Sequence, residues 1–193
     1  RMFGRQADID RLQGLFTGRL TTLTGPGGAG KTRLAIEAAR RHTTSGRVVF
    51  VPLADLAAPA QVLPAIRAAL RMTEAPGAPD VEQFASTLAA TPTLLLLDNV
   101  EHLIAEEAAD DAASVPALVL DLLNRVPTLR IVATSRQPLG LAGEQEFPVL
   151  PLAVPEAPTS EIPDPGDTER LLQSPCVQLF IDRARLKQPD FQA

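Results

Sequence analysis

The chain has 193 residues, 23 Asp+Glu against 18 Lys+Arg for a formal charge of −5, and 45% hydrophobic residues. That balance fits a globular chain large enough to bury a core, excludes a disordered tract, and argues against the domain itself wrapping nucleic acid. No apolar run approaches the ~18 residues of a membrane span, the first residues hold no signal-peptide core, and the lone Cys176 excludes an internal disulfide; a cytoplasmic location is expected.

Short apolar runs alternate with helical patterns, which predicts an α/β fold with a parallel sheet and crossover helices. The first strand candidate is "RLTTLT" at 19–24. The helix after it, Lys31 to Arg41, sets Arg33, Glu37, Arg40 and Arg41 on a polar face and turns Leu34, Ala35 and Ala38 inward. "RVVFVPL" at 47–53 is the second strand. Val62, Ile66, Ala69 and Leu70 then repeat at helical spacing, with Pro64 obscuring where that helix starts. Asp80 to Ala89 reads as a further helix, and "TLLLLD" at 93–98 as a buried strand. Glu106 to Asp111 is acidic and reads as a solvated helix end or loop. Ser114 is a candidate N-cap for a helix over Val115 to Val126.

"LRIVATS" at 129–135 is the fourth strand and "QEFPVL" at 145–150 a weaker fifth. Pro148 to Gly166 holds six prolines and reads as an extended connector. Beyond it Ser174 and Pro175 mark a helix start, with Val177, Phe180, Ile181 and Ala184 as its apolar stripe. The division expected is a core over 1–150, followed by connector and helix over 151–193 packed on the same domain. Neither end carries a readable cap or tail, as expected of a domain cut from a larger protein.

Between the first strand and its helix lies "GPGGAGKT", Gly25 to Thr32, which matches G-x-x-x-x-G-K-[ST] in the strand–helix context the motif needs. Glycines let the backbone curl until successive N–H groups point at phosphate oxygens, and the helix N-terminus adds partial positive charge. The candidate phosphate-binding residues are Gly25, Gly27, Gly28, Ala29, Gly30, Lys31, Thr32 and Arg33. Only two of the 18 basic residues are lysines, Lys31 and Lys187. A compact ammonium suits the cradle better than arginine's planar fork. Thr32 would offer its hydroxyl to Mg²⁺. The bland alternative is a glycine turn before a helix.

Asp98 ends a leucine strand, where a carboxylate would hold Mg²⁺ and its water; the alternative is a helix-capping aspartate. Asn99 stands where many such hydrolases place a second acid, and it is not a base. Glu101 is the nearest substitute, or else an exposed glutamate at a helix start. His102 reads as structural. Arg136, in "TSR", is a γ-phosphate sensor or a surface arginine opening a loop. Neither lysine sits in an N/T-K-x-D motif, which favours adenine over guanine nucleotides.

With these residues in place, the chain resembles the nucleotide-binding domain of STAND-class signal-transduction ATPases. The likeness is nearest to bacterial AfsR/SARP and large LuxR-type transcriptional regulators, and NB-ARC domains are more distantly similar. The matching pieces are "FGRQADIDRL" (3–12), "LTGPGGAGKTRLA" (23–35), "VVFVPLADL" (48–56), "LLLLDNVEHL" (94–103), "LRIVATSRQPLGLAGEQEFPVLPL" (129–152) and "SPCVQLFIDRA" (174–184). They cover most of the chain in the family's order. The resemblance implies a P-loop NTPase three-layer sandwich whose five-stranded sheet places the "TSR" strand between the phosphate-loop and Asp98 strands. That would bring Arg136 to the phosphates, and "FGR" would line the adenine end, making Arg5 a contact.

The implied role is a switch, ADP-bound when off and ATP-bound when on, reset by slow Mg²⁺-dependent hydrolysis. The implied partners are helical and winged-helix domains of a longer protein, and DNA only through other domains. No membrane is implied; nucleotide-dependent oligomers are. The "GLPLA"-like segment of the family's helical domain does not occur here. Two other readings remain: a turnover ATPase of an oligomeric remodelling machine, and a nucleotide-insensitive interaction scaffold.

Overall fold

The apolar runs become five parallel strands: β1 (Leu20–Thr24), β2 (Arg47–Pro52), β3 (Thr93–Asp98), β4 (Arg130–Ser135) and β5 (Glu144–Pro148). They lie in the order β2-β3-β4-β1-β5, so the "TSR" strand runs between the phosphate-loop strand and the Asp98 strand. The computed structural model describes residues 2–42, 46–72, 80–104, 114–155 and 165–192. It divides into two compact units, residues 9–150 and residues 1–8 with 151–193.

Position in the sheet explains the strand sequences. Leu94, Leu95, Leu96 and Leu97 of β3 are all buried, because a parallel strand inside the sheet is covered on both faces. At the edge, β2 alternates: Val49 and Val51 are buried while Val48 and Phe50 are exposed. On the opposite edge β5 buries only Phe147, which is why its run reads weakly. Register pairs Pro52 with Asp98, Leu97 with Ala133, and Thr24 with Ser135, so the carboxyl ends of the strands line up.

On one face Val49, Val51, Leu95, Leu97, Ile131 and Ala133 share a core with α3 (Val62–Ala69), α4 (Asp80–Ala89) and α6 (Val115–Arg125). By alternation Leu94, Leu96 and Val132 face the other side, where α2 (Lys31–Arg41) buries Leu34, Ala35, Ala38 and Ala39. This is the three-layer α/β sandwich. Each fully buried Leu or Val contributes about 1.5–3 kcal/mol of transfer free energy, so the leucine run of β3 is a principal anchor.

The helix boundaries follow local chemistry. Pro64 falls in the first turn of α3, where its missing N–H has no intrahelical partner anyway, and a 3₁₀ turn at Pro59–Gln61 leads in. The repeat expected there is half realised: Val62 and Ile66 are buried, whereas Ala69 is exposed. Ser114 caps α6 as expected, its Oγ accepting from Ala117 N–H at 3.2 Å. In the second unit α8 (Pro175–Lys187) has Pro175 in its first turn, but Ser174 makes no side-chain cap bond. Phe180, expected on its apolar stripe, is 63% exposed and meets the Phe191 ring edge-on.

Two helices were not read from the sequence, α1 (Gln6–Leu15) and α7 (Pro165–Gln173), while α5 (Glu101–Ile104) starts at Glu101, the helix start offered there as one alternative, with that glutamate mostly buried rather than exposed. α7 takes in Pro165 and Gly166, so the connector stops short of the expected end. The acidic stretch Glu106–Asp111 and connector residues 156–164 lie outside the described residues. No helix among the described residues is long and apolar enough to cross a membrane.

Candidate functional site

The phosphate loop leaves the end of β1 and enters α2 through glycines that carry its shape. Gly25, Gly28 and Gly30 have φ of 146°, 78° and 90°, backbone that side chains with a Cβ rarely adopt. At Gly25 a Cβ would also strike the Val149 carbonyl oxygen, since Val149 N–H donates to Thr24 O at 2.7 Å and holds that strand close. Gly30 occupies the N-cap of α2 without any side-chain cap. No side chain at residue 30 therefore caps the helix N-terminus that opens onto the loop.

Within the loop Ala29 is buried, while Gly27, Gly28 and Arg33 are exposed. The Lys31 stem is buried and its Nζ donates to Gly25 O at 2.8 Å and Pro26 O at 3.1 Å. The ammonium therefore lies within the curl of the loop, where a phosphate chain would need it.

Asp98, at the end of β3, gathers two hydroxyls on one oxygen. Thr32 Oγ1 and Thr134 Oγ1 each donate to Asp98 Oδ1 at 2.6 Å. The register that sets Leu97 beside Ala133 sets Asp98 beside Thr134 one step on. Thr134 was missed in the sequence, and that pairing is the signal that finds it. Its Oγ1 also accepts from Asn99 N–H at 2.9 Å, which holds Asn99 at φ 67° and turns the chain sharply out of the strand.

A hard cation with oxygen ligands fits this hydroxyl–carboxylate pair: Thr32 and Asp98 would hold Mg²⁺, with phosphate and water oxygens completing its shell. Among the described residues no three His, Cys, Asp or Glu side chains cluster as a metal cage.

After Asp98, Asn99 Nδ2 lies 3.3 Å from His102 Nδ1, and His102 Nε2 lies 3.0 Å from Leu56 O. Donation from the amide to Nδ1 leaves Nε2 as the protonated nitrogen donating to the carbonyl. His102 thus ties the segment after β2 to the segment after β3, the structural role expected of it. Glu101 and Arg136 are brought together, Glu101 Oε1 standing 3.3 Å from Arg136 Nε. Arg136 is 70% exposed and overlooks the loop: a Cβ on Gly27 would lie 3.9 Å from its Nη2.

Gln137 N–H donates to Ser135 Oγ at 3.2 Å as the chain passes Arg136. The turn beyond it is held by Glu144, whose carboxylate accepts from Leu139, Gly140 and Leu141 N–H at 2.8, 2.8 and 3.2 Å. That clamp was also missed; a carboxylate a few residues past "PLG" is its only trace in the sequence. Arg5 belongs to the other unit, where its Nη1 pairs with Asp8 at 2.8 Å.

The AAA domain family matches residues 13–148. A protein of Mycobacterium bovis, provisionally named an HTH-type transcriptional regulator, is 36% identical over 173 residues, as are its Mycobacterium tuberculosis counterparts. The match covers 90% of this chain but 17% of the regulator, so the chain spans under a fifth of that relative's length. Among solved structures, the ORC1 protein of Aeropyrum pernix in complex with DNA superposes with a TM-score of 0.59 at 16% identity, covering 80% of this chain and 47% of that one. Cdc6p of Pyrobaculum aerophilum gives 0.54 at 18% identity, covering 76% and 46%. At such identities these two likenesses concern the fold alone.

Proposed function

Because the chain belongs to the AAA domain family, we propose that it is the ATP/ADP-binding switch domain of a transcriptional regulator, of the STAND type related to NB-ARC, AfsR/SARP and large LuxR-type proteins. The observation that carries this reading is the pairing of Thr32 with Asp98 at 2.6 Å at the entry to α2, followed by Asn99 in place of a second acid. Loop amides and Lys31 bind the phosphate chain. Thr32 and Asp98 hold Mg²⁺, which supplies charge neutralisation at the phosphates. Arg136 meets the terminal phosphate.

Hydrolysis is slow because Asn99 is no base and its amide is engaged with His102, while the next carboxylate, Glu101, is tied to Arg136. A slowly reset nucleotide state suits a switch better than a motor. The relative's name supports the transcriptional setting and no more. In this reading helical and winged-helix domains adjoin the domain, DNA is contacted only through other domains, and assembly depends on the bound nucleotide.

The test is thermal unfolding with and without nucleotide and Mg²⁺. At a hundredfold excess over Kd, binding to the folded state alone stabilises by about 2.7 kcal/mol. Wild type should gain stability from ADP or ATP, and Lys31→Ala should keep its circular dichroism and gain none. No gain for wild type sinks the proposal and favours a scaffold. Rapid phosphate release together with ring assembly would instead favour a remodelling machine.

A further inference from the structure

Glu101 is an unusual carboxylate. Its side chain is 15% exposed, and Oε2 is buried with no hydrogen-bond partner among the described residues. The cation facing it is Arg136, whose Nε is 3.3 Å from Oε1. A mostly buried carboxylate with one unsatisfied oxygen depends heavily on such a neighbour. Yet this guanidinium is 70% exposed and stands with Nη2 over Gly27 of the phosphate loop. One edge of the arginine is held by the carboxylate and another overlooks the loop. The two residues leave adjacent strands, Glu101 just beyond β3 and Arg136 directly after β4.

We propose that Glu101 sets the discrimination between nucleoside triphosphate and diphosphate by competing with the terminal phosphate for Arg136. This inference rests on the nucleotide site proposed above. A triphosphate places more negative charge beyond the loop than a diphosphate does, and drawing Arg136 towards it weakens the arginine's hold on Glu101. The loss of that ion pair opposes triphosphate binding and leaves diphosphate binding nearly untouched. The arrangement biases the domain towards its diphosphate state. Glu101 acts here through Arg136, as a specificity-determining residue.

The experiment is isothermal titration of the whole chain with ADP and with AMP-PNP, both with Mg²⁺, for wild type, Glu101→Gln, Arg136→Ala and the double variant. Glu101→Gln should tighten AMP-PNP by about fivefold or more, the lower end of ordinary coupling between sites, and leave ADP within about twofold. In the Arg136→Ala background the same change should leave the ratio of the two affinities where it was. Glu101→Asp keeps the charge and guards against misfolding of the glutamine variant; it should fall between wild type and Glu101→Gln. If wild type binds both nucleotides and no Glu101 variant moves the ratio, or the shift persists without Arg136, this inference is overturned and the nucleotide site stands. If wild type binds neither, the site proposal falls and the inference falls with it.

Discussion

Thr134 is 3% exposed, and its single hydroxyl both donates to Asp98 Oδ1 and accepts from Asn99 N–H. Thr134→Val keeps the shape but leaves a buried amide and a carboxylate each short of a partner. The expected loss is about 1–3 kcal/mol in denaturant unfolding, with weaker Mg²⁺-dependent nucleotide binding beside it. Unchanged stability would mean that water replaces the hydroxyl. Gly25→Ala tests a different force, since φ of 146° and the Val149 carbonyl both oppose a Cβ. A loss of about 1–3 kcal/mol is expected from the strained backbone alone, read in the same assay. Lys31, Thr32 and Asp98 were legible beforehand because a motif or a strand end announces them. Thr134 and Glu144 were not, because each acts through a partner that only strand register or a closed turn brings near.

Helices and strands were legible to different degrees for reasons their burial explains. The strand β3 reads clearly because both faces are covered and leucine fills its four middle positions, and β4 does so through Ile131, Val132 and Ala133. α1 escaped notice although Ile9, Leu12 and Phe16 are buried at helical spacing, because charged and polar residues dominate the segment around them. α5 is only four residues long, too short to show a period.

His42, the C-cap of α2, meets the ring of Phe16, the residue after α1, edge-on at 5.2 Å, and its Nε2 is buried without a hydrogen-bond partner among the described residues. Burial first, and the nearby Arg130 charge second, lower its pKa from 6.5. The unfolded chain therefore takes up the proton more readily than the folded one. Stability from the neutral ring is present above 6.5 and is lost as pH falls through the lowered folded value. The midpoint of thermal unfolding should fall between pH 7.5 and 5 in wild type and fall less in His42→Gln. Equal slopes would show that the ring titrates alike in both states.

Charge on the molecule as a whole bears on what the domain can touch unaided. The acidic excess, 23 Asp+Glu against 18 Lys+Arg, disfavours the counterion release that drives binding to phosphate backbones, which needs several clustered cations. Four of the arginines are already committed within the fold: Arg5 to Asp8, Arg41 to Glu37, Arg125 to Asp121 and Arg136 to Glu101. Fluorescence anisotropy with a labelled duplex should therefore show no saturable binding at protein concentrations of about 10 μM in physiological salt, where non-specific binders have Kd values of 10⁻⁴–10⁻⁶ M. Adding ADP or AMP-PNP with Mg²⁺ should not change that result, because either nucleotide adds negative charge at the loop. Binding that appears with the triphosphate analogue and fades steeply with salt would mean the domain contacts DNA directly, and the assignment of DNA recognition to other domains would have to be given up.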